Sequence, residues 1–121
     1  MNMPYLWYFL MSRKTPETRV KEDIAKFLTS IDYAHGGSIL YQRRDASGAT
    51  YIKGSADAYV IYRGVHIEIE YKAPDGERSP DQIRWERICH LIGAKYILTN
   101  SFEDFLVQWN KLIDGVQKSN P

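Results

Sequence analysis

The stretch "DAYVIYRGVHIEIEYKAP", Asp57 to Pro74, decides how this chain is read. "DAYVIY" and "VHIEIEY" are two β-rich runs, and Arg63-Gly64 between them suits a tight turn, so together they predict an antiparallel hairpin. In the second run Val65, Ile67, Ile69 and Tyr71 share one face, and His66, Glu68, Glu70 and Lys72 share the other. With the turn centred on Arg63-Gly64, Tyr62 faces Val65, and stepping outwards brings Asp57 opposite Glu70. Directly opposed side chains have Cβ atoms about 4.5–5.5 Å apart, and like charges there repel. A slip of one residue would move Asp57 to the other face. A divalent cation held between Asp57 and Glu70 would turn repulsion into binding, and hard carboxylate oxygens suit Mg2+ or Mn2+. Lys72, on the same face, can hold a water or a phosphate oxygen beside such an ion. The plain alternative is an exposed sheet face with an ordinary attraction between Glu70 and Lys72.

Outward from the hairpin, Thr15-Pro16-Glu17 reads as a helix start, and Val20, Ile24, Phe27, Leu28 and Ile31 recur at helical spacing. His35-Gly36-Gly37 ends that helix, Ser38 to Gln42 reads as a short strand, and Arg43 to Ala49 as a polar loop. Beyond the hairpin, Pro74 to Glu77 breaks the strand. Ser79-Pro80-Asp81-Gln82 opens a second helix with Ser and Gln at capping-box positions, and Trp85, Ile88, Cys89 and Ile92 form its expected inner stripe. Gly93 stops it. "KYILT" is a buried strand, and Ser101 and Asp104 open a last helix with the stripe Phe102, Phe105, Leu106, Trp109 and Ile113. The order αβββαβα predicts a single α/β domain, a mixed four-stranded sheet flanked by helices.

Two further polar residues have both a structural and a chemical reading. Glu17, three residues before Val20, is expected on the core side of its helix, where it either complements the helix dipole or faces the acidic pair. Gln82, three residues before Trp85, closes the capping box, contributes to a site, or does both.

Composition sets the outer limits. The chain has 121 residues, 44% of them hydrophobic and 26% charged, which suits one globular domain. A net charge of +1 gives no general affinity for polyanions, so any nucleic-acid contact must come from local arrangement. The one cysteine, Cys89, cannot form an internal disulfide and suits a reducing cytosol. The apolar leader "MNMPYLWYFL" is well short of the ~20 residues that span a bilayer, and it has neither a basic segment ahead of it nor a cleavage site behind it. It is either a leader placed before a start at Met11 or an arm that packs on the domain or on a second subunit. The expected organisation is a leader or arm over 1–14, a domain over 15–115 and a polar, frayed tail over 116–121.

"TPETRVKEDI", "KGSAD" and "IEIEYKAPDGERSPDQ" in this order resemble the virus-type replication-repair nuclease (VRR-NUC) domain of the PD-(D/E)XK nuclease superfamily. The resemblance covers roughly Thr15 to Phe105 and rests on a glutamate, G-x-x-D, E-x-K and S-P-x-Q. It implies a restriction-endonuclease-like core and catalytic roles for Glu17, Asp57, Glu70, Lys72 and Gln82. The metal set would be Asp57, Glu70 and the Tyr71 backbone carbonyl, with Glu17 acting through a water or a second ion. Ala56 stands where many members have proline, a residue that offers no ligand. The implied activity is Mg2+- or Mn2+-dependent hydrolysis of DNA, leaving 5′-phosphate and 3′-hydroxyl ends. The implied substrate is branched DNA such as four-way junctions, cut by a homodimer in the cytoplasm of a phage host or bacterium, with no membrane partner.

Phosphate contacts are expected from Arg43, Arg44, Lys53 and Arg78, with Arg13, Lys14 and Arg19 as further candidates. Tyr51 and Tyr59 suit stacking or core packing. His35, His66 and His90 lack metal-ligand spacing, although His66 shares the acidic face. Two other functions fit the same text: a catalytically silent nucleic-acid-binding module, and a restriction-type enzyme that reads a short sequence.

Overall fold

The computed structural model describes residues 15–34, 39–44 and 52–119. Expectations for the leader, Arg13, Lys14, His35, Tyr51 and most of the loop after Arg44 fall outside these residues. The elements are α1 (Pro16–Ala34), β1 (Ile39–Arg43), β2 (Ala58–Tyr62), β3 (Val65–Tyr71), α2 (Pro80–Leu91), β4 (Lys95–Thr99) and α3 (Phe102–Ser119), in the predicted order. The sheet runs β1-β2-β3-β4, antiparallel except for the parallel β3–β4 pair that α2 connects.

Local chemistry sets the hairpin. Arg63 (φ 49°) and Gly64 (φ 81°) both have positive φ, as a two-residue turn that follows the strand twist requires. Tyr62 then pairs with Val65, and Ala58 with Ile69, the register read from the sequence. The starts of α1 and α2 are capped as expected. Thr15 Oγ1 accepts from the Thr18 N–H at 3.1 Å, and Ser79 and Gln82 form a full capping box.

One face of the sheet carries the apolar core. Ile24 and Leu28 of α1 and Phe105, Trp109 and Val116 of α3 close over Val60, Tyr62, Ile67, Ile69 and Ile97. Each such buried side chain contributes about 1.5–3 kcal/mol. Phe27 meets Phe105 and Trp109 edge-on, with ring centroids 6.0 and 6.2 Å apart, which fixes α1 against α3.

The other face is polar where α2 covers it, and three expectations change there or nearby. Glu68 and Glu70 are each only 1% exposed, so the acidic face of β3 is buried rather than solvated. Of the stripe expected on α2, Cys89 is buried and Trp85 half-buried, but Ile88 is 45% and Ile92 76% exposed. Helix α2 sits over a hydrogen-bonded polar floor, which needs only a narrow apolar contact, and Ile92 lies at its C-cap, past the last turn. At the other end of the chain, α3 runs through Gly115 to Ser119, because Val116 continues the stripe of Trp109 and Ile113 into the core. The expected tail therefore begins inside a helix.

Candidate active site

β2 begins at Ala58, one residue after Asp57, and at Asp57 the backbone bends. Asp57 therefore does not stand directly across the ladder from Glu70. Its Oδ2 accepts from the Tyr71 backbone N–H at 2.8 Å, and its Oδ1 lies 3.3 Å from Lys21 Nζ. Glu70 faces α2, with Oε2 3.2 Å from Arg78 Nε. Each carboxylate thus has its own cation, and Lys21 and Arg78 provide part of the compensation that the opposed charges demand. The two acids still sense one another. Burial pushes the Glu70 pKa above the ordinary carboxylate value, and the Asp57 charge pushes it further, against the opposing pull of Arg78.

Glu70 carries the feature that separates a site from a structural pair. Its Oε1 is buried and meets no well-aligned donor, and the buried Tyr96 hydroxyl is the neighbouring group that helps to lower its pKa. Such an oxygen on a buried carboxylate is costly unless a cation or donor meets it. Beside Asp57 lies a small cavity of about 40 Å³, lined by Lys21, Tyr41, Arg43, Ala58 and Tyr71 among others, with room for a water or a hydrated ligand edge. Glu70 does not line it, so the two acids flank the Tyr71 backbone from different sides. Among the described residues, no cluster of three or more His, Cys, Asp or Glu side chains is grouped to hold a metal. Mg2+ commonly binds through one or two carboxylates and keeps several waters, so an ion beside the Tyr71 peptide would take one of these acids directly and meet the other through its waters.

The remaining candidates divide into those near this point and those engaged elsewhere. Glu17 is exposed rather than on the inner stripe, yet Lys21 Nζ ties it to the site, at 3.0 Å from Glu17 and 3.3 Å from Asp57. Gln82 uses its Oε1 to accept from the Ser79 N–H at 2.8 Å, its structural role. Lys72 is half-buried and makes no ion pair among the described residues. The plain attraction between Glu70 and Lys72 is therefore absent, since Glu70 pairs with Arg78. Arg78 also binds Glu86 at 2.6 Å, and Lys53 is highly exposed, 3.5 Å from Asp81. Arg43 is exposed beside the small cavity.

Arg44 is half-buried and turned into the protein. Its guanidinium grips Glu68 at 2.7 and 2.9 Å, donates to the Ala56 carbonyl at 3.0 Å, and lies 4.8 Å from the Tyr59 ring. Trp85 Nε1 donates to Glu68 at 2.8 Å, and His66 Nε2 lies 2.5 Å from it. Tyr59 stacks on His66 at 5.0 Å. Burial would raise the Glu68 pKa, but Arg44, His66 and Trp85 outweigh it and hold the carboxyl below the ordinary value.

Two residues missed in the sequence belong to this neighbourhood. Lys21 could have been found as the i+4 partner of Glu17 on one helix face. Glu68 gave a weaker signal, an acid between two buried isoleucines. Gly54 of "KGSAD" has φ +88°, and a Cβ there would come within 2.5 Å of the Asp81 backbone. Glycine thus lets the segment leading to Asp57 pack against the start of α2.

The mixed four-stranded sheet flanked by three helices is consistent with a restriction-endonuclease-like fold. No protein-family model matches the chain, and no curated protein matches it. A solved structure described as a "VRR_NUC domain" does, with a TM-score of 0.56 and 28% identity, covering 84% of this chain and 97% of that one. This likeness supports a VRR-NUC domain with a PD-(D/E)XK-like fold and suggests a nuclease, hence a domain that binds nucleic acid. No helix among the described residues is long and apolar enough to cross a membrane.

Proposed function

We propose that the chain is a metal-dependent DNA endonuclease whose centre is Asp57, Glu70 and the Tyr71 backbone carbonyl. The observation that carries this reading is the buried Glu70 carboxylate, whose Oε1 meets no well-aligned donor and which feels the Asp57 charge. When bound there, Mg2+ or Mn2+ would supply an activated water and charge stabilisation for phosphodiester hydrolysis. Arg78 anchors one Glu70 oxygen and leaves the other directed to the ion. The Tyr71 N–H anchors Asp57 in the same way. Lys72, without a carboxylate partner, offsets negative charge that develops on the phosphate and holds the attacking water. Glu17 reaches the site through Lys21 and orients waters there, and Gln82 fixes the start of α2 at its edge.

Arg43 and Lys53 are the exposed cations that suit phosphate contacts. Arg78 is instead engaged by Glu70 and Glu86 inside the protein. The resemblance favours branched DNA such as four-way junctions and a twofold dimer, whose symmetry approximates that of the junction. The test is cleavage of labelled junction, flap and duplex DNA across a Mg2+ titration, with EDTA as the control. Metal-dependent cutting that favours junctions supports the proposal. Binding without cutting at any Mg2+ or Mn2+ concentration would make the chain a silent binding module, and cutting of one duplex sequence alone would make it a restriction-type enzyme.

A further inference from the structure

The segment that carries Asp57 lies outside the strand ladder, so something other than β2–β3 pairing must hold it. Arg44 meets it twice. The Arg44 backbone N–H donates to the Asp57 carbonyl at 2.8 Å, and its Nη1 donates to the Ala56 carbonyl at 3.0 Å. The guanidinium that reaches Ala56 is itself fixed by both oxygens of Glu68. Glu68 is in turn held by Trp85 from α2. A rigid chain of contacts thus runs from α2 through the sheet to the peptide just before Asp57. Ala56 is 1% exposed, so water cannot take over as donor to its carbonyl.

We infer that Arg44, held by Glu68, is a positioning residue for Asp57 rather than a phosphate contact. The inference rests on the proposal that Asp57 ligates the metal. Both Nη nitrogens of Arg44 are taken by Glu68 and the Ala56 carbonyl, and the guanidinium carbon lies 4.8 and 5.4 Å from the Tyr59 and Trp85 rings, which leaves its side chain 23% exposed. Residues that orient metal ligands typically change metal affinity or activity about 10- to 100-fold when replaced.

Two variants test this. Arg44→Lys keeps the charge but loses the two-pronged grip. The double variant Arg44→Met with Glu68→Leu replaces a buried ion pair by apolar groups of similar size, a change that commonly preserves folding. Both should bind Mn2+ in the absence of DNA about tenfold or more weakly by calorimetry. Both should lower kcat with little change in KM or in the salt dependence of DNA binding. In both, hydrogen exchange at the Tyr71 amide, the donor to Asp57, should quicken about tenfold or more, a readout that needs neither metal nor DNA. Unchanged Tyr71 exchange in a folded variant overturns the inference, as does a KM and salt effect with kcat preserved. Failure of the wild-type protein to bind Mn2+ or cut DNA would instead sink the nuclease proposal, and Tyr71 exchange would still decide whether Arg44 positions Asp57.

Discussion

The carboxylate of Asp57 accepts a hydrogen bond from the backbone N–H of Tyr71 at 2.8 Å. Asp57 thereby docks on β3 at the residue that follows Glu70, although it lies just before its own strand begins. An amide oxygen can accept the same bond, so the position and the charge of Asp57 can be separated.

Asp57→Asn should keep this contact and melt like the wild type while losing cleavage by more than about 100-fold, the upper range for disturbing a metal's surroundings. Glu70→Gln should behave similarly and melt no lower, because burial already disfavours the Glu70 charge. Thermal melts paired with DNA cleavage check both. Wild-type cutting by either variant would refute the assignment.

Glu68→Gln should destabilise the fold by about 3–5 kcal/mol, since the largely buried Arg44 guanidinium then loses its charge partner. The sign of the pH effect follows from the depressed Glu68 pKa. Its contribution is complete above the ordinary glutamate value of 4.5 and is lost as pH falls through the lower folded-state value. Denaturant unfolding between pH 3 and 7 should show a steeper acid loss for the wild type than for Glu68→Gln. Parallel curves would remove Glu68 from that role.

Lys21→Met removes the ammonium that bridges Glu17 and Asp57. The site becomes more negative, so half-saturating Mg2+ should fall about threefold or more. An unchanged or weaker Mg2+ requirement would show that Lys21 does not share the metal's electrostatic role.

Gly54 and Gly64 separate two costs of adding a methyl group. Gly64→Ala meets nothing within 4 Å and bears only the strain of φ +81°, about 1–2 kcal/mol. Gly54→Ala bears comparable strain and also a 2.5 Å contact with the Asp81 backbone, so it should cost clearly more. Unfolding free energies of the two variants check the order.

The hairpin shows how far the sequence could carry the fold. Turn chemistry and alternating side chains specify the register, and the Ala58–Ile69 pair follows it as predicted. The same pattern could not show that the ladder stops at Ala58, because the bend depends on Arg44 and Tyr71, which reach Asp57 from other strands. Burial of Glu68 and Glu70 was hidden for a related reason. Alternation assigns residues to faces but does not reveal that α2 would cover the polar one. On α2, helical spacing marked Ile88 and Ile92 as inward, whereas a polar floor needed only Trp85 and Cys89. Lys72 and Glu70 were legible as a motif, yet the cation that meets Glu70 is Arg78, eight residues on, brought back by the turn after β3.

Electron paramagnetic resonance of Mn2+ titrated into the protein without DNA addresses the metal site most directly. The wild type should bind the ion and Glu70→Gln should lose that binding while remaining folded, because the variant lacks the carboxylate charge that would hold it. Equal Mn2+ binding by the two proteins would contradict the placement of the metal at Glu70 and Asp57.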